Sequence, residues 1–265
     1  MTVQIGNILI GGPKFTVIAG PCSIESEDQF RQTSIAVKKS GASLLRGGIW
    51  KMRTSPKSFQ GLGSSSFEFI QKVKNEIGLG LISEITDVRQ IEEIAPFVDA
   101  YQVGARNMHN YSLLQELGRQ PKPVVLKRNF SAYIDEWLKA ADYITQGGNK
   151  NVVLCERGIR TFETATRNTL DLNAVVYAKK NTSYPVIVDP SHGVGISSLV
   201  PPLCYAAAAA GADGLIIEVH PDPKQALSDG DQALTLDVFD STMQQLNKLL
   251  KAFDRELNTN GANTK

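Results

Sequence analysis

The chain has little net charge, few cysteines and no long hydrophobic run. Its 28 basic and 27 acidic residues leave a formal net charge of +1 over 265 residues. So small an excess provides no overall basic field, and we therefore expect no binding to nucleic acid. The three cysteines, Cys22, Cys155 and Cys204, do not form the even set of a disulfide framework. Their sparseness favours a reducing compartment.

Segments that would direct the chain to a membrane are also missing from the sequence. The N-terminus lacks the basic start and the long apolar stretch of a signal peptide. The longest run of small apolar residues, 206–210, falls far short of the roughly 20 residues that cross a bilayer. We therefore expect a cytoplasmic protein that does not bind membranes.

Short apolar segments alternate with helical segments along most of the chain. Val, Ile and Leu dominate the apolar segments, which is typical of parallel strands buried on both faces. Eight strands are predicted, at residues 15–19, 43–46, 80–84, 100–103, 124–127, 152–155, 186–188 and 215–218. Eight strand–helix units in about 250 residues favour an α/β fold of the closed (β/α)₈ type, the TIM barrel, over an open doubly wound sheet.

The domain organisation follows from the absence of a linker or a shift in composition. We expect residues 1–265 to form a single catalytic barrel domain. Residues 1–12 precede the first strand and are predicted to form a short β-hairpin extension. The polar, glycine-containing segment 258–265 is predicted to be a disordered tail.

Basic side chains recur at or just after the C-terminal ends of the predicted strands. These residues are Arg46, Lys51, Arg53, Arg106, Lys127, Arg128 and Arg157. Each one alone would be read as a solvated loop residue, but barrel strand ends converge on one mouth. Like charges that are brought together require an anion to offset their repulsion. Because guanidinium binds phosphate and carboxylate bidentately, the pattern predicts a site for more than one anionic group.

A second set of residues has the chemistry of metal ligands, namely Cys22, His192, Glu218 and Asp229. In a closed barrel the last strand lies beside the first and the seventh, so these side chains could meet. Mixed sulfur, nitrogen and oxygen ligands suit Zn²⁺, Mn²⁺, Fe²⁺ or Co²⁺ rather than Ca²⁺ or Mg²⁺. The spacing has no CxxC or HxxxH pattern, and a lone cysteine is often a small buried hydrophobe.

The motifs around these residues closely resemble those of 3-deoxy-D-arabino-heptulosonate 7-phosphate (DAHP) synthase, in the short type I beta form without a regulatory domain. They are AGPCSIES at 19–26, LRGGIWKMRTSPKSFQGLG at 45–63, QVGARN at 102–107, CERGIRTFE at 155–163, DPSHG at 189–193 and IEVHP at 217–221. The match is in order and runs from about residue 12 to residue 240. The family condenses phosphoenolpyruvate with erythrose 4-phosphate and water, giving DAHP and phosphate, in the first step of the shikimate pathway to chorismate and the aromatic amino acids.

The resemblance implies a role for each matching residue. Cys22, His192, Glu218 and Asp229 would hold one divalent metal ion, which would be Mn, Fe, Co or Zn. Phosphoenolpyruvate would be bound by Arg46, Lys51, Ala105, Arg106, Lys127 and Arg157. The erythrose 4-phosphate phosphate would be bound by Arg53, Thr54 and Ser55. Lys51 would protonate the new alkoxide or exchange a proton with the attacking water, and either Glu84 or Asp189 would position that water.

Two other functions remain open at this point. The nearest is 3-deoxy-D-manno-octulosonate 8-phosphate synthase, which uses arabinose 5-phosphate and usually has Asn where this chain has Met52. The DAHP synthase family usually has Pro at this position and an aromatic residue at the position of Lys57, so Met52 and Lys57 bear on aldose selectivity. A non-catalytic barrel that senses a phosphorylated metabolite is disfavoured because all four candidate ligands are present.

Regulation and assembly are expected from the resemblance alone. It implies a homotetramer or a homodimer. The sequence offers no segment for an added regulatory domain, so we expect insensitivity to Phe, Tyr and Trp unless a separate partner such as a chorismate mutase supplies control.

Overall fold

Eight parallel strands close into a barrel, and a two-stranded antiparallel hairpin precedes them. The computed structural model describes residues 1–259. The strands are β1 (Val3–Ile5), β2 (Ile8–Ile10), β3 (Thr16–Gly20), β4 (Leu44–Arg46), β5 (Leu81–Ile85), β6 (Ala100–Val103), β7 (Val124–Lys127), β8 (Val152–Glu156), β9 (Val186–Val188) and β10 (Gly214–Glu218). Closure occurs between β10 and β3, where Glu218 pairs with Gly20. The predicted TIM barrel with its N-terminal hairpin is confirmed.

Helices connect the barrel strands and cover the outside of the barrel. They are α1 (Glu27–Lys39), α2 (Phe67–Ile77), α3 (Gln90–Ile94), α4 (Tyr111–Gly118), α5 (Ile134–Gln146), α6 (Leu172–Asn181), α7 (Pro190–Val194), α8 (Val200–Ala209) and α9 (Leu236–Ala252). Ser26 caps α1, since its hydroxyl accepts from Gln29 N at 3.1 Å. Short helices such as α7 begin directly after a strand, and they therefore hold their side chains at the mouth of the barrel.

Apolar side chains form two cores, one between the strands and the helices and one inside the barrel. The barrel strands are buried over their whole length, except at the half-buried Glu84 of β5, and strands such as β7 and β8 are near-continuous runs of Val and Leu. The hairpin closes the N-terminal end of the barrel, because Val3, Ile5, Ile8 and Ile10 join the inner core. The alternate residues Gln4 and Leu9 face outward.

Two local features differ from simple sequence patterns. The pair Ser65 and Glu68 resembles a capping box, but Ser65 lies in a 3₁₀ turn and donates to Leu62 O. A helix could be expected around Phe162, yet this residue is in a loop and 97% exposed. Both differences arise in loops that follow barrel strands, where tertiary contacts override local propensity.

The C-terminal segment returns to the bottom of the barrel. Asn258 N donates to Phe15 O at 2.8 Å, and the Asn258 side chain donates to Leu9 O. The predicted disordered tail, 258–265, otherwise lies largely outside the described residues. None of the helices within residues 1–259 combines the length and the apolar character that spanning a bilayer requires.

Candidate active site

Four side chains from three neighbouring strand ends meet on one side of the barrel mouth. Cys22 follows β3, His192 lies in α7 after β9, Glu218 ends β10, and Asp229 lies in the loop that follows β10. One ligand atom from each of the four lies within 4.8 Å of all the others. The Cys22 sulfur is 3.2 Å from Asp229 Oδ2, and His192 Nε2 is 3.4 Å from Glu218 Oε1. Three of the four residues are buried.

The donor set fits a divalent metal. Glu218 Oε1 is buried and accepts no hydrogen bond from any described residue, although Arg46 Nη2 lies 3.1 Å away. A buried carboxylate oxygen without a hydrogen bond costs free energy unless a cation uses it. One thiolate, one imidazole and two carboxylates match the mixed ligands that Zn²⁺ and similar ions accept. A divalent metal site at this cluster is therefore consistent with both its geometry and its chemistry.

Burial and neighbouring charges shift the pKa values of these groups. Burial, followed by the charge of Glu218, raises the pKa of the Cys22 thiol to about 12. Burial also lowers the pKa of His192 to about 4, although Asp189 and Glu218 oppose that shift. Burial disfavours the charged carboxylate of Asp229, but Lys51 and His192 outweigh it and hold its pKa below the ordinary value. Without metal, the cluster therefore carries a protonated thiol and a neutral imidazole near neutral pH.

Buried charged side chains next to this cluster hold His192 in place. Asp189 Oδ2 accepts from Lys127 Nζ at 2.5 Å and lies 2.8 Å from His192 Nδ1. The Asp189 side chain is fully buried, and its other carboxylate oxygen, Oδ1, accepts a hydrogen bond from His192 N. A carboxylate beside Nδ1 orients the imidazole and leaves Nε2 directed at the other ligands. Asp189 thus fixes the direction in which His192 points.

An open cavity of about 340 Å³ adjoins the cluster and forms the mouth of the barrel. Seven basic side chains line it, against the two carboxylates Glu84 and Asp229. The basic residues are Lys51, Arg53, Arg106, Lys127, Arg157, Arg160 and Arg167. Among the described residues, no ion pair forms at Arg53, Arg106, Arg157 or Arg160. This excess of positive charge is typical of a site for anionic ligands.

The excess of positive charge in the cavity is clearest at Arg157. Its side chain is buried, and burial lowers the pKa of its guanidinium, with Arg167 adding to the effect. A buried cation near another cation is stabilised when an anion joins them. The backbone places Arg157 directly after the buried strand β8, so its position is set by the rigid barrel.

The loop of residues 51–60 brings Arg53, Thr54 and Ser55 to the opposite rim of the cavity. The base of the loop is closed by Lys51 N, which donates to Gln60 O at 2.8 Å. Gly61 follows with φ of +93°, and a Cβ there would lie 2.3 Å from Ile49 O. Thr54 Oγ1 lies 3.4 Å from Arg106 Nη2, so this loop and the turn after β6 form one surface.

The two candidates for positioning a water differ in their access to the cavity. Glu84 lines the cavity beside Lys51, whereas Asp189 is fully buried and engaged with Lys127 and His192. Gly104 makes room for Glu84, since a Cβ at that position would lie 2.0 Å from Glu84 Oε1. The geometry therefore favours Glu84 over Asp189 for contact with a solvent molecule.

Arg46 lies beside the main cavity rather than in its wall. It lines a small adjoining pocket together with Cys22, Glu84 and Gln102. Its guanidinium pairs with Glu218 and donates from Nε to Pro21 O, while Nη1 is buried without a hydrogen bond among the described residues. Ala105 and Lys127, in contrast, line the main cavity as the family motifs imply.

Arg128 does not belong to the basic mouth, which corrects the sequence pattern. Its side chain is buried and pairs with Glu156 at 3.1 Å and with Asp171 at 2.9 Å. Successive residues point to opposite sides of a strand, so the neighbour of an inward-facing Lys127 faces the helices. Arg128 therefore stabilises the outer layer and is not available to an anion in the mouth.

Sequence analysis did not identify Arg160 and Arg167 as residues of the cavity. Both lie in the long loop between β8 and α6, and Arg160 stacks over the Phe130 ring at 4.1 Å. Arg167 donates to Gln232 and lies 3.8 Å from Asp229 Oδ1. Arg160 is part of the CERGIRTFE motif, and that motif was the available signal.

Comparison with known proteins shows the family of this chain. The model of the DAHP synthetase I family matches residues 1–254. A phospho-2-dehydro-3-deoxyheptonate aldolase of Thermotoga maritima is 44% identical over 256 residues, covering 97% of this chain and 76% of the relative. This chain belongs to the DAHP synthetase I family. The crystal structure of that Thermotoga maritima enzyme, a DAHP synthase, superimposes with a TM-score of 0.94, covering 97% of this chain and 76% of the other.

Two further comparisons involve another DAHP synthase structure and an aldolase whose name gives a different sugar product. A truncated form of the Thermotoga maritima DAHP synthase has a TM-score of 0.91 at 41% identity and covers 97% of this chain and 95% of the other. A 2-dehydro-3-deoxyphosphooctonate aldolase of Nitrosococcus oceani is 31% identical over 92% of this chain and 91% of the relative. The higher identity to the heptonate enzyme supports the assignment made from the motifs.

Proposed function

We propose that this protein is a DAHP synthase (3-deoxy-7-phosphoheptulonate synthase), a transferase that joins phosphoenolpyruvate to erythrose 4-phosphate with the uptake of water and the release of phosphate. One observation carries the proposal. The cluster of four candidate ligands adjoins the cavity, and four arginines of its lining form no ion pair within residues 1–259, namely Arg53, Arg106, Arg157 and Arg160. Such a cavity suits two phosphorylated substrates beside a metal.

Phosphoenolpyruvate would be bound on the side of the mouth formed by β6, β7 and β8. Arg106, Lys127 and Arg157 line this side, and Ala105 lies at the start of the turn after β6. Bidentate guanidinium contacts would hold the phosphate, and Lys127 would add a point charge. Arg46, in the adjoining pocket, would act on the carboxylate side of the substrate.

Erythrose 4-phosphate would be bound by the loop of residues 51–60. Arg53, Thr54 and Ser55 line the rim, and Arg53 Nη1 has no hydrogen-bond partner among the described residues. A phosphate at this rim would accept from the Arg53 guanidinium and the two hydroxyl groups. The aldehyde of erythrose 4-phosphate would then point inward, toward Lys51 and the cluster of four ligands.

The reaction forms a bond between C3 of phosphoenolpyruvate and the aldehyde carbon. Cys22, His192, Glu218 and Asp229 would hold a metal, which would supply the Lewis acidity that makes the aldehyde a better electrophile. Attack by C3 leaves positive charge at C2, where water adds with loss of a proton. The resulting phosphohemiketal then releases phosphate, and the fixed positive charges of Arg106 and Arg157 stabilise the leaving group.

Lys51 is suited to handle the proton of this reaction. Burial disfavours its ammonium, but Cys22 in its ionised form and the carboxylates of Glu84, Glu218 and Asp229 raise its pKa above the ordinary value. Lys51 therefore remains an ammonium near neutral pH and can donate a proton to the new alkoxide. Glu84 would hold the water that adds at C2, because its carboxylate lines the same cavity.

Location and assembly extend the proposal. The free state of Cys22, Cys155 and Cys204 supports a cytoplasmic location. A homotetramer or homodimer, and control through a separate chorismate mutase, stay predictions from the family. That residues 1–265 form a single catalytic barrel domain also stays a prediction.

A phosphate-release assay with purified protein tests the choice of sugar. With phosphoenolpyruvate and Mn²⁺ present, we expect release with erythrose 4-phosphate and at least tenfold slower release with arabinose 5-phosphate. Faster release with arabinose 5-phosphate would instead indicate a 3-deoxy-D-manno-octulosonate 8-phosphate synthase. No release with either sugar, together with tight binding of phosphoenolpyruvate, would favour a sensing barrel.

A further inference from the structure

The loop that follows β10 carries Asp229, and side chains beside Cys22 hold this loop in place. Cys22 is fixed directly after β3, whereas Asp229 lies 11 positions beyond the end of β10 at Glu218. The two side chains nevertheless meet at 3.2 Å. Some contact outside the four ligands must therefore position the Asp229 loop.

Glu25 and His220 form the first contact between the two loops. His220 Nε2 lies 3.3 Å from Glu25 Oε2, and the side chains of His220 and Glu25 are 7% and 10% exposed. Because Asp222 N donates to His220 Nδ1, the ring carries its proton on Nε2 and donates it to Glu25. The other oxygen of Glu25 accepts from Leu227 N at 2.9 Å. A single carboxylate thus holds both ends of the segment 220–227.

A buried pair of hydroxyl groups forms the second contact. Ser23 Oγ and Ser228 Oγ lie 2.8 Å apart, and both side chains are buried. Ser23 follows Cys22 in the chain, and Ser228 precedes Asp229. The hydrogen bond therefore joins the immediate neighbours of two proposed ligands, and it fixes the distance between the two backbones.

The backbone of Asp229 requires such support. Its φ is +49°, in the left-handed region that non-glycine residues seldom adopt, although Asn and Asp do so more often than the others. Within residues 1–259, Asp254 is the one other non-glycine residue with a positive φ. A strained conformation of this kind persists when the surrounding contacts determine it. The contacts of Glu25 and Ser228 are in the right place to do so.

We propose that Glu25 and Ser228 are positioning residues that set the affinity of the metal site by holding Asp229 opposite Cys22. This inference rests on the metal site of the proposed function. Neither side chain is itself one of the four ligands. Residues outside the ligand set that orient ligands typically change metal affinity by about 10- to 100-fold when replaced.

The variant Glu25→Gln tests the role of the carboxylate without changing its size. His220 Nε2 and Leu227 N meet different oxygens of Glu25, and an amide keeps an acceptor at only one of these two positions, so one of the two hydrogen bonds is lost. We expect the dissociation constant for Mn²⁺ to rise about tenfold, as measured on the metal-stripped full chain by the electron paramagnetic resonance signal of free Mn²⁺. Ser228→Ala, which removes one hydroxyl, should raise the same constant by a smaller factor.

Glu27→Gln is the matched control. Glu27 lies two residues away on the exposed first turn of α1, where it pairs with Arg31. Mn²⁺ affinity should be unchanged in this variant. Affinity for phosphoenolpyruvate should be unchanged in Glu25→Gln and Ser228→Ala, which a general loss of structure would not allow. If Glu25→Gln does not fold, Ser228→Ala carries the test by itself.

Cys22→Ala separates the two levels of the proposal. If Cys22→Ala loses Mn²⁺ affinity but Glu25→Gln and Ser228→Ala bind Mn²⁺ as tightly as the unaltered chain, the positioning role is refuted and the metal site stands. If the unaltered chain and Cys22→Ala bind Mn²⁺ equally, the metal site itself is refuted, and the positioning role with it.

Discussion

The two ends of the barrel are built from opposite kinds of side chains. At the N-terminal end, Ile5, Ile8 and Ile10 of the hairpin pack against inward-facing residues such as Ile18 and Ile216, all with at most 1% exposure. At the C-terminal end, side chains of the same strands and the turns after them are charged and equally buried, as for Glu218 and Asp189. The fold therefore has an apolar end and a charged mouth. The apolar end, made of the hairpin and the inward-facing residues that it covers, is called the plug below.

This difference separates stability from function. Burial of the hairpin isoleucines stabilises the fold, at roughly 25 cal/mol for each Å² of apolar surface removed from water. Burial of the charges at the mouth costs free energy that their ion pairs offset incompletely. Changes at the plug should thus alter stability with little effect on catalysis, whereas changes at the mouth should do the reverse.

The largest effect is expected for Cys22→Ala. Loss of one proposed metal ligand should lower turnover by about 10³-fold or more, because Lewis-acid activation of the aldehyde requires the metal. Binding of phosphoenolpyruvate, measured by calorimetry, should be retained. Cys204→Ala, which changes a buried cysteine of α8 on the outside of the barrel, is the control and should keep its turnover. Equal turnover in the two variants would remove Cys22 from the proposed ligand set.

Arg157→Ala should reduce kcat/KM for phosphoenolpyruvate by about 10²- to 10³-fold, the typical effect of losing one preorganised contact to developing charge. Steady-state kinetics at saturating erythrose 4-phosphate measures this loss. Arg157→Lys keeps the charge without the planar fork and should recover part of it. Arg119→Ala, at a side chain 71% exposed, should match the unaltered enzyme. If Arg157→Ala leaves kcat/KM unchanged, this side of the cavity does not bind the phosphate.

Ile8→Ala should affect the plug alone. Removal of a fully buried isoleucine side chain typically lowers the free energy of unfolding by about 2–5 kcal/mol. Urea unfolding should show this loss, while kcat and both KM values remain within about twofold. Leu9→Ala is matched to it, since Leu9 is the neighbour on the outer face of β2 and is 41% exposed. A large change of KM in Ile8→Ala would mean that the two ends of the barrel are coupled.

The affinity for metal should depend on pH, because the groups that titrate when metal binds lie at the mouth of the barrel and not at the hairpin end. With burial and Glu218 raising the pKa of Cys22 to about 12, and burial lowering that of His192 to about 4, metal binding near neutral pH must displace one proton, from the thiol. The dissociation constant for Mn²⁺ should therefore fall about tenfold for each unit of rising pH between about pH 6 and about pH 8. A constant that does not change over this range would show that the thiolate exists before the metal binds.

The sequence was sufficient for much of the fold. Strands such as Val124–Lys127 and Val186–Val188 were predicted to the residue, because buried parallel strands are rich in Val, Leu and Ile. Helix starts after the barrel strands were less predictable. Ser65 has the local signature of a cap, but contacts of the preceding loop make it part of a 3₁₀ turn.

Residues that closely follow strands were the easiest to propose. Asp229 was proposed from its chemistry although it lies in the loop after β10, whereas Arg160 and Arg167 in the loop between β8 and α6 were missed. Strand order brings Cys22, His192 and Glu218 together, so position in the chain was enough to propose them. Arg128 and Arg160 could not be assigned in this way. The direction of Arg128 depends on which side of β7 it faces, and the position of Arg160 depends on its contact with Phe130 in a loop without periodic structure.

The most direct test of the account is phosphate release by the full chain before and after removal of metal. With phosphoenolpyruvate and erythrose 4-phosphate both saturating, chelation should abolish release, and adding Mn²⁺ should restore it to the unaltered chain but not to Cys22→Ala. Phosphate release that persists after complete chelation, at an unchanged rate, would contradict the account.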